Sequence, residues 1–94
     1  MAAEFHLGDY ILVQDGRTLE IFHRTLSSVR RHHVAFLGVD AKPRGDGFQV
    51  QIGSRSEDDR IVNGMGLRMD AEQFARFREF MAPAIAARDQ TDVL

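Results

Sequence analysis

Cysteine is absent from these 94 residues, which excludes a disulfide framework and any thiolate metal site. A reducing compartment, the cytoplasm, is the matching expectation. Long hydrophobic runs are missing too. No apolar stretch approaches the ~18 to 20 residues needed to span a bilayer, and Met1 to Phe5 has neither the basic start nor the apolar run of a signal peptide. Excess charge of one sign is also lacking: the formal net charge is −2 and the pI about 6.0. There is therefore no global electrostatic case for nucleic acid or for an anionic membrane. Lysine is scarce, since eleven of the twelve cationic side chains are Arg; this reads as coding bias rather than chemistry. Internal repeats, low-complexity tracts and linkers are not found.

What is present is a globular composition, 44% hydrophobic and 28% charged. The length admits one domain, residues 1–94, with an ordered core expected over about 5–82 and a frayed tail over 89–94. Phe5 to Gln14 reads as one long β-element centred on Tyr10-Ile11-Leu12-Val13. Asp15-Gly16 then suits a two-residue turn, and Leu19 and Ile21 alternate with Thr18 and Glu20, which predicts a β-hairpin. Thr25 to Ser28 reads as a connection. From Arg31 to Lys42 the apolar residues change parity at Leu37-Gly38, which predicts a bulge or bend; a short helix over 34–37 competes with it. Pro43 to Gly47 is turn chemistry. Phe48, Val50 and Ile52 alternate as a half-wet strand, Gly53 to Asp59 reads as an exposed loop, and Arg60 to Met69 forms the last strand, interrupted at Asn63-Gly64. At Asp70 the period becomes helical. Asp70 and Gln73 form a capping-box pair, Phe74, Phe77 and Met81 make an apolar stripe, and Pro83 is expected to end or kink the helix.

The expected fold is thus mainly β: an antiparallel sandwich or partly open barrel of six to seven strands, capped by one C-terminal helix. Asp15-Gly16-Arg17-Thr18-Leu19-Glu20-Ile21 in the first hairpin, Arg30 to Ala41 as a bulged third and fourth strand pair, Gly47-Phe48 at a strand start and the helix with its "EQFARFREFM" face carry a resemblance. In these the chain resembles the bacterial pleckstrin-homology-like domains, a mostly uncharacterised family, over Phe5 to about Met81. The resemblance implies a non-enzymatic module that binds a phosphoinositide, a peptide or another protein. Lipid-binding members carry several Lys and Arg around a long first loop; here the loop is a tight Asp-Gly turn with Arg17 beside it and Asp15 of the wrong sign. The resemblance therefore supports the scaffold and a protein or peptide partner rather than the lipid.

Several side chains are candidates for such binding. Residues 17–44 hold six basic side chains against two acidic ones, and Arg17, Arg24, Arg30, Arg31 and His33 make up the basic region that could meet an acidic partner, an anion or a lipid headgroup. The bland alternative for Arg30-Arg31-His32-His33 is a solvated strand that protects a sheet edge. Phe80, beside Ala84, is the candidate contact for self-association as a homodimer. His6 and His23 are read as near-diagonal neighbours across the hairpin, but too few further ligands accompany them for a metal site. Glu57-Asp58-Asp59 lacks the spaced oxygen ligands of a Ca²⁺ loop. No nucleophile elbow, phosphate loop or dinucleotide fingerprint is present around Ser27-Ser28 or Gly64-Met65-Gly66. Phe36 and Phe48 are placed like core residues rather than stacking platforms for bases. No catalytic residue, metal or cofactor is expected.

Overall fold

The computed structural model describes residues 3–25 and 29–93, with 90–93 described by backbone alone. Seven strands form two antiparallel sheets. The first contains β1 (Ala3–Leu7), β2 (Tyr10–Asp15), β3 (Thr18–His23) and β4 (Val29–His33) in that order; the second contains β5 (Leu37–Arg44), β6 (Gly47–Arg55) and β7 (Ile61–Asp70). A 3-10 turn, Val34–Phe36, carries the chain from one sheet to the other, and α1 (Ala71–Val93) follows β7. The architecture is an open sandwich rather than a closed barrel, mainly β with one C-terminal helix. No helix among the described residues is long and apolar enough to cross a membrane.

The expected long first element is in fact two strands. Gly8, at φ 56°, turns the chain with Asp9, so Leu7 pairs with Tyr10 and Phe5 with Leu12. The Asp15-Gly16 hairpin forms, with Asp15 paired to Thr18, so the two turn residues are Gly16 and Arg17. Only Gly16 (φ 61°) has positive φ, the pattern of a glycine-first hairpin turn. That register places Tyr10 opposite His23 and His6 opposite Ile11 on a different strand pair, so His6 and His23 are not neighbours across one hairpin. The parity change before β5 comes from the 3-10 turn, the helical alternative, which His33 caps by accepting a hydrogen bond from the Ala35 amide at its Nδ1. Most of the Thr25–Ser28 connection, including Ser27-Ser28, lies outside the described residues.

β6 runs two residues further than its hydrophobic alternation suggests, because Gly53 is buried inside the sheet; the exposed loop is only 56–60. Opposite Gly53, β7 carries both Asn63 and Gly64, which makes the expected interruption a β-bulge with Asn63 at φ 53°. A Cβ on Gly53 would sit 2.7 Å from the Val62 carbonyl oxygen and 2.8 Å from the Ile61 side chain. Ile61 also lies against Gly38 and Gly64, so its side chain covers a floor of three glycines on the outer face of the second sheet.

The helix plugs the sandwich. The Asp70 amide donates to Gln73 Oε1 at 2.9 Å and the Gln73 amide donates to Asp70 Oδ1 at 2.7 Å, a reciprocal capping box. Phe77, Met81 and Ala84 are buried among Phe5, Leu12, Leu19 and Ile21 of the first sheet and Val50, Ile52, Leu67 and Met69 of the second. Phe77 meets Phe5 edge-on at 5.6 Å, and Phe74 stacks on Phe48 at 4.1 Å. The helix passes Pro83 and its backbone stays helical through Val93, into the stretch expected to be a tail. Pro83 and Glu79 are both exposed, so the carbonyl that loses its intrahelical donor faces water, while the wholly buried Ala84 anchors the next turn. The core therefore extends beyond residue 82. Phe36 is the opposite case: expected inside, it stands 66% exposed at the corner between the sheets, where Val34 and Leu37 turn inward instead.

Candidate docking edge and the basic strand

The basic region does not converge. Directly paired residues share a face of a sheet. Arg30 and His32 pair with the buried Ile21 and Leu19, so they lie on the inner side, whereas Arg31 and His33 pair with Glu20 and Thr18 on the outer side. Arg30 donates from Nη1 to the Asn63 carbonyl at 2.6 Å and so ties β4 to the bulge of the other sheet. Arg31 forms an ion pair with Glu20 at 3.0 Å. Arg17 and Arg24 stand at opposite ends of β3, roughly 20 Å apart for a strand of this length. The Arg17 carbonyl accepts from the Val34 amide and the Arg24 amide donates to the Asp9 carbonyl, both at 2.8 Å. An anion or headgroup cannot be clasped by all four arginines at once, because they are divided between two faces and two ends.

Three of the histidines are likewise occupied in local structure, His33 as the cap of the 3-10 turn. His6 lies 3.3 Å from Glu4. His23 accepts from the Thr25 amide at Nδ1 and meets Tyr10 edge-on at 4.7 Å. His32 Nε2 is buried without a hydrogen-bond partner, and burial, reinforced by the neighbouring Arg30 charge, pushes its pKa below the ordinary histidine value. Among the described residues no group of three or more His, Asp or Glu is placed to hold a metal. The Glu57–Asp59 loop is closed on itself: Ser56 Oγ donates to Asp58 at 2.8 Å and accepts from the Arg60 amide at 3.1 Å. Of the two residues considered for self-association, Ala84 is fully buried, whereas Phe80 is half-buried against Phe5 at 5.8 Å.

Two of the hollows lie along β5. An apolar groove of about 480 Å³ runs between this strand and α1, lined by Val39, Ala41, Phe74, Met81, Ile85 and Arg88. A more polar cleft of about 620 Å³ lies against the same strand, with Asp40, Gln51, Arg55, Arg60 and Arg88 around it. Arg88 stands between the two; it pairs with Asp89 at 3.1 Å and donates to the Leu37 carbonyl at 3.4 Å.

β5 is an edge strand with only β6 beside it. Pro43, which has no N–H, pairs with Phe48, and proline is tolerated in a sheet where no ladder donor is needed. The alternation of an antiparallel ladder then assigns the inward hydrogen-bonded positions to Gly38, Asp40, Lys42 and Arg44. Val39 and Ala41 turn their N–H and C=O groups to the open edge, while Leu37 offers only its C=O there, because its amide donates to the Val34 carbonyl at the end of the 3-10 turn. The Leu37 carbonyl meets Arg88, and the amides and carbonyls of Val39 and Ala41 border the apolar groove. Of the residues that make this edge, Val39, Ala41, Ile85 and Arg88 were not candidates from the sequence. Pro43 was the available signal, because a proline inside an otherwise β-forming run marks an edge. No family model, no curated protein and no solved structure matches the chain.

Proposed function

We propose that the chain is a non-enzymatic interaction module that takes an extended segment of a protein or peptide partner as an added strand on β5, with alternate partner side chains seated in the β5–α1 groove. One observation carries this reading: an open antiparallel edge presents the backbone groups of Val39 and Ala41 directly beside an apolar groove. In strand addition the main chain supplies the hydrogen bonds and the flanking groove selects side chains. Antiparallel strands led by a hairpin and closed by one helix support the pleckstrin-homology-like resemblance, although Arg30 to Ala41 is not the strand pair it implies, since β4 and β5 lie in different sheets; peptide and protein binding is among the activities that resemblance implies. A cysteine-free chain suits the reducing setting of a bacterial cytoplasm. The dispersal of Arg17, Arg24, Arg30 and Arg31 weighs against the alternative of headgroup binding.

The test is a selection from a phage-displayed library of linear peptides, followed by amide exchange measured by NMR on the 94-residue chain. Selected peptides are expected to slow exchange at the Val39 and Ala41 amides and to shift the Met81 and Ile85 methyl signals. Peptides that bind while leaving both amides unprotected would overturn the proposal, as would a library that yields no binder to a chain that is also monomeric.

A further inference from the structure

Resting on the strand-addition reading, the geometry points to a second copy of this chain as the partner: β5 pairs antiparallel with β5 across a two-fold axis at Ala41, forming one continuous six-stranded sheet.

An isologous contact joins the same patch on both copies, so an edge that pairs with itself must be self-complementary. The residues with free backbone groups are the odd-numbered ones, so a symmetric pairing can be centred on Val39, Asp40, Ala41 or Lys42 without turning the wrong groups inward. Asp40 and Lys42 both point to the outer face, both are exposed, and neither has an ion pair or hydrogen bond among the described residues. Centring on Asp40 sets Asp40 against the second copy's Asp40, and centring on Lys42 sets two lysines together; like charges directly opposite each other destabilise a strand pair. Centring on Val39 sets Asp40 against a glycine, Gly38, and leaves Lys42 beyond the paired strand. Centring on Ala41 alone sets Asp40 against Lys42 and Lys42 against Asp40. These fall at non-hydrogen-bonded positions, where cross-strand side chains come closest.

The backbone agrees with this choice. Ala41 exchanges both of its hydrogen bonds with the second copy's Ala41, and each Val39 amide reaches a Pro43 carbonyl, which gives about four interchain bonds. Pro43 cannot donate in return, so pairing stops there. Lys42 and Pro43 are the kinds of residue that blunt an edge against indiscriminate pairing; placed here they leave a short open stretch with one charge-matched register. The helix wall beside the groove carries the small side chains of Ala82 and Ala86 together with Arg78 and Arg88.

Three variants of the intact chain decide the matter by sedimentation over about 1 µM to 1 mM, the range of weak to moderate association. The wild type is expected to dimerise. Asp40→Lys and Lys42→Asp each set like charges opposite one another twice, and are expected to weaken the dimer about tenfold or more. The double exchange Asp40→Lys/Lys42→Asp restores opposite charges and is expected to return the dissociation constant to within about threefold of wild type. Circular dichroism checks that the variants fold. Lys42 is the only lysine, so a carbodiimide cross-link between copies should join Lys42 to Asp40. A wild type that stays monomeric to 1 mM, or a dimer that the double exchange fails to rescue, overturns the proposal. A monomer whose Val39 and Ala41 amides are protected by selected peptides would refute self-pairing alone and leave strand addition standing; failure of both measurements removes both.

Discussion

β4 and β5 follow one another in the chain, separated by a single 3-10 turn, and both are sheet edges. They are made in opposite ways. β4 is dense in charge and imidazole, and its charged side chains are already engaged, Arg31 with Glu20 and Arg30 with the Asn63 carbonyl, while His33 holds the Ala35 amide. β5 is chemically quiet, with small apolar residues on its inner side and an unmatched pair, Asp40 and Lys42, on its outer side. The contrast teaches that a cluster of charges is not by itself a binding surface. Charges satisfied within the fold are building material, while unmet backbone groups and unmatched charges are what a partner can use.

That comparison can be broken at several depths. The floor common to the groove and the core is the deepest. Phe77 is 2% exposed and in contact with Phe5, so Phe77→Ala should cost about 3 to 5 kcal/mol in urea unfolding and should deform the β5 groove; a loss below about 1 kcal/mol would show that the helix does not anchor the sandwich. Next comes a matched pair of edge substitutions. Arg30→Ala removes the bond that ties β4 to the other sheet and should cost about 1 to 2 kcal/mol, whereas Asp40→Ala should change the stability of the monomer by no more than about 0.5 kcal/mol. Equal costs would erase the distinction between the two edges.

The smallest expected effect sharpens the comparison through pH. His32 lies on the inner side of β4, flanked by Arg30, with Leu19 opposite and Nε2 unpartnered. Its folded-state pKa is lowered by burial first and by Arg30 second, so the unfolded chain binds the proton more readily. Stability is fully present above the ordinary histidine value of about 6.5 and declines as pH falls from there toward the lowered folded value. Chemical denaturation between about pH 7.5 and pH 5 should show this decline, and His32→Leu should flatten it. An unchanged slope in the variant would assign the effect to other groups.

Local signals in the sequence are legible where they are self-contained. The hairpin around Gly16, the alternation of Phe48, Val50 and Ile52, the bulge at Asn63-Gly64 and the Asp70/Gln73 cap each depend on residues a few positions apart, and each is found, the hairpin with its turn one residue later than expected, at Gly16-Arg17. The turn at Gly8-Asp9 has a local signal too, but the apolar run beginning at Tyr10 masks it. Pro83 misleads because its effect on a helix depends on which side faces water, a property of the packed molecule. The same limit hides the docking edge. Whether Leu37–Arg44 is central or peripheral is decided by strands far along the chain, and the charge run Arg30 to His33 attracts attention while its partners, Asn63 and Glu20, are set by pairing that no local pattern reveals.

Ile61 over its three glycines has a consequence for how this sequence can drift. Gly38, Gly64 and Ile61 share one volume: a Cβ at either glycine would approach the Ile61 side chain at 3.1 Å. A methyl gained at Gly38 or Gly64 is therefore expected to be tolerated when position 61 shrinks in compensation, and poorly tolerated otherwise. Gly53 stands apart, because its Cβ would also meet the Val62 carbonyl at 2.7 Å and the Gly64 Cα at 2.8 Å. No change of side chain at 61 opens that space. Two of the glycines are thus negotiable with a neighbour, and the third is held by the backbone itself.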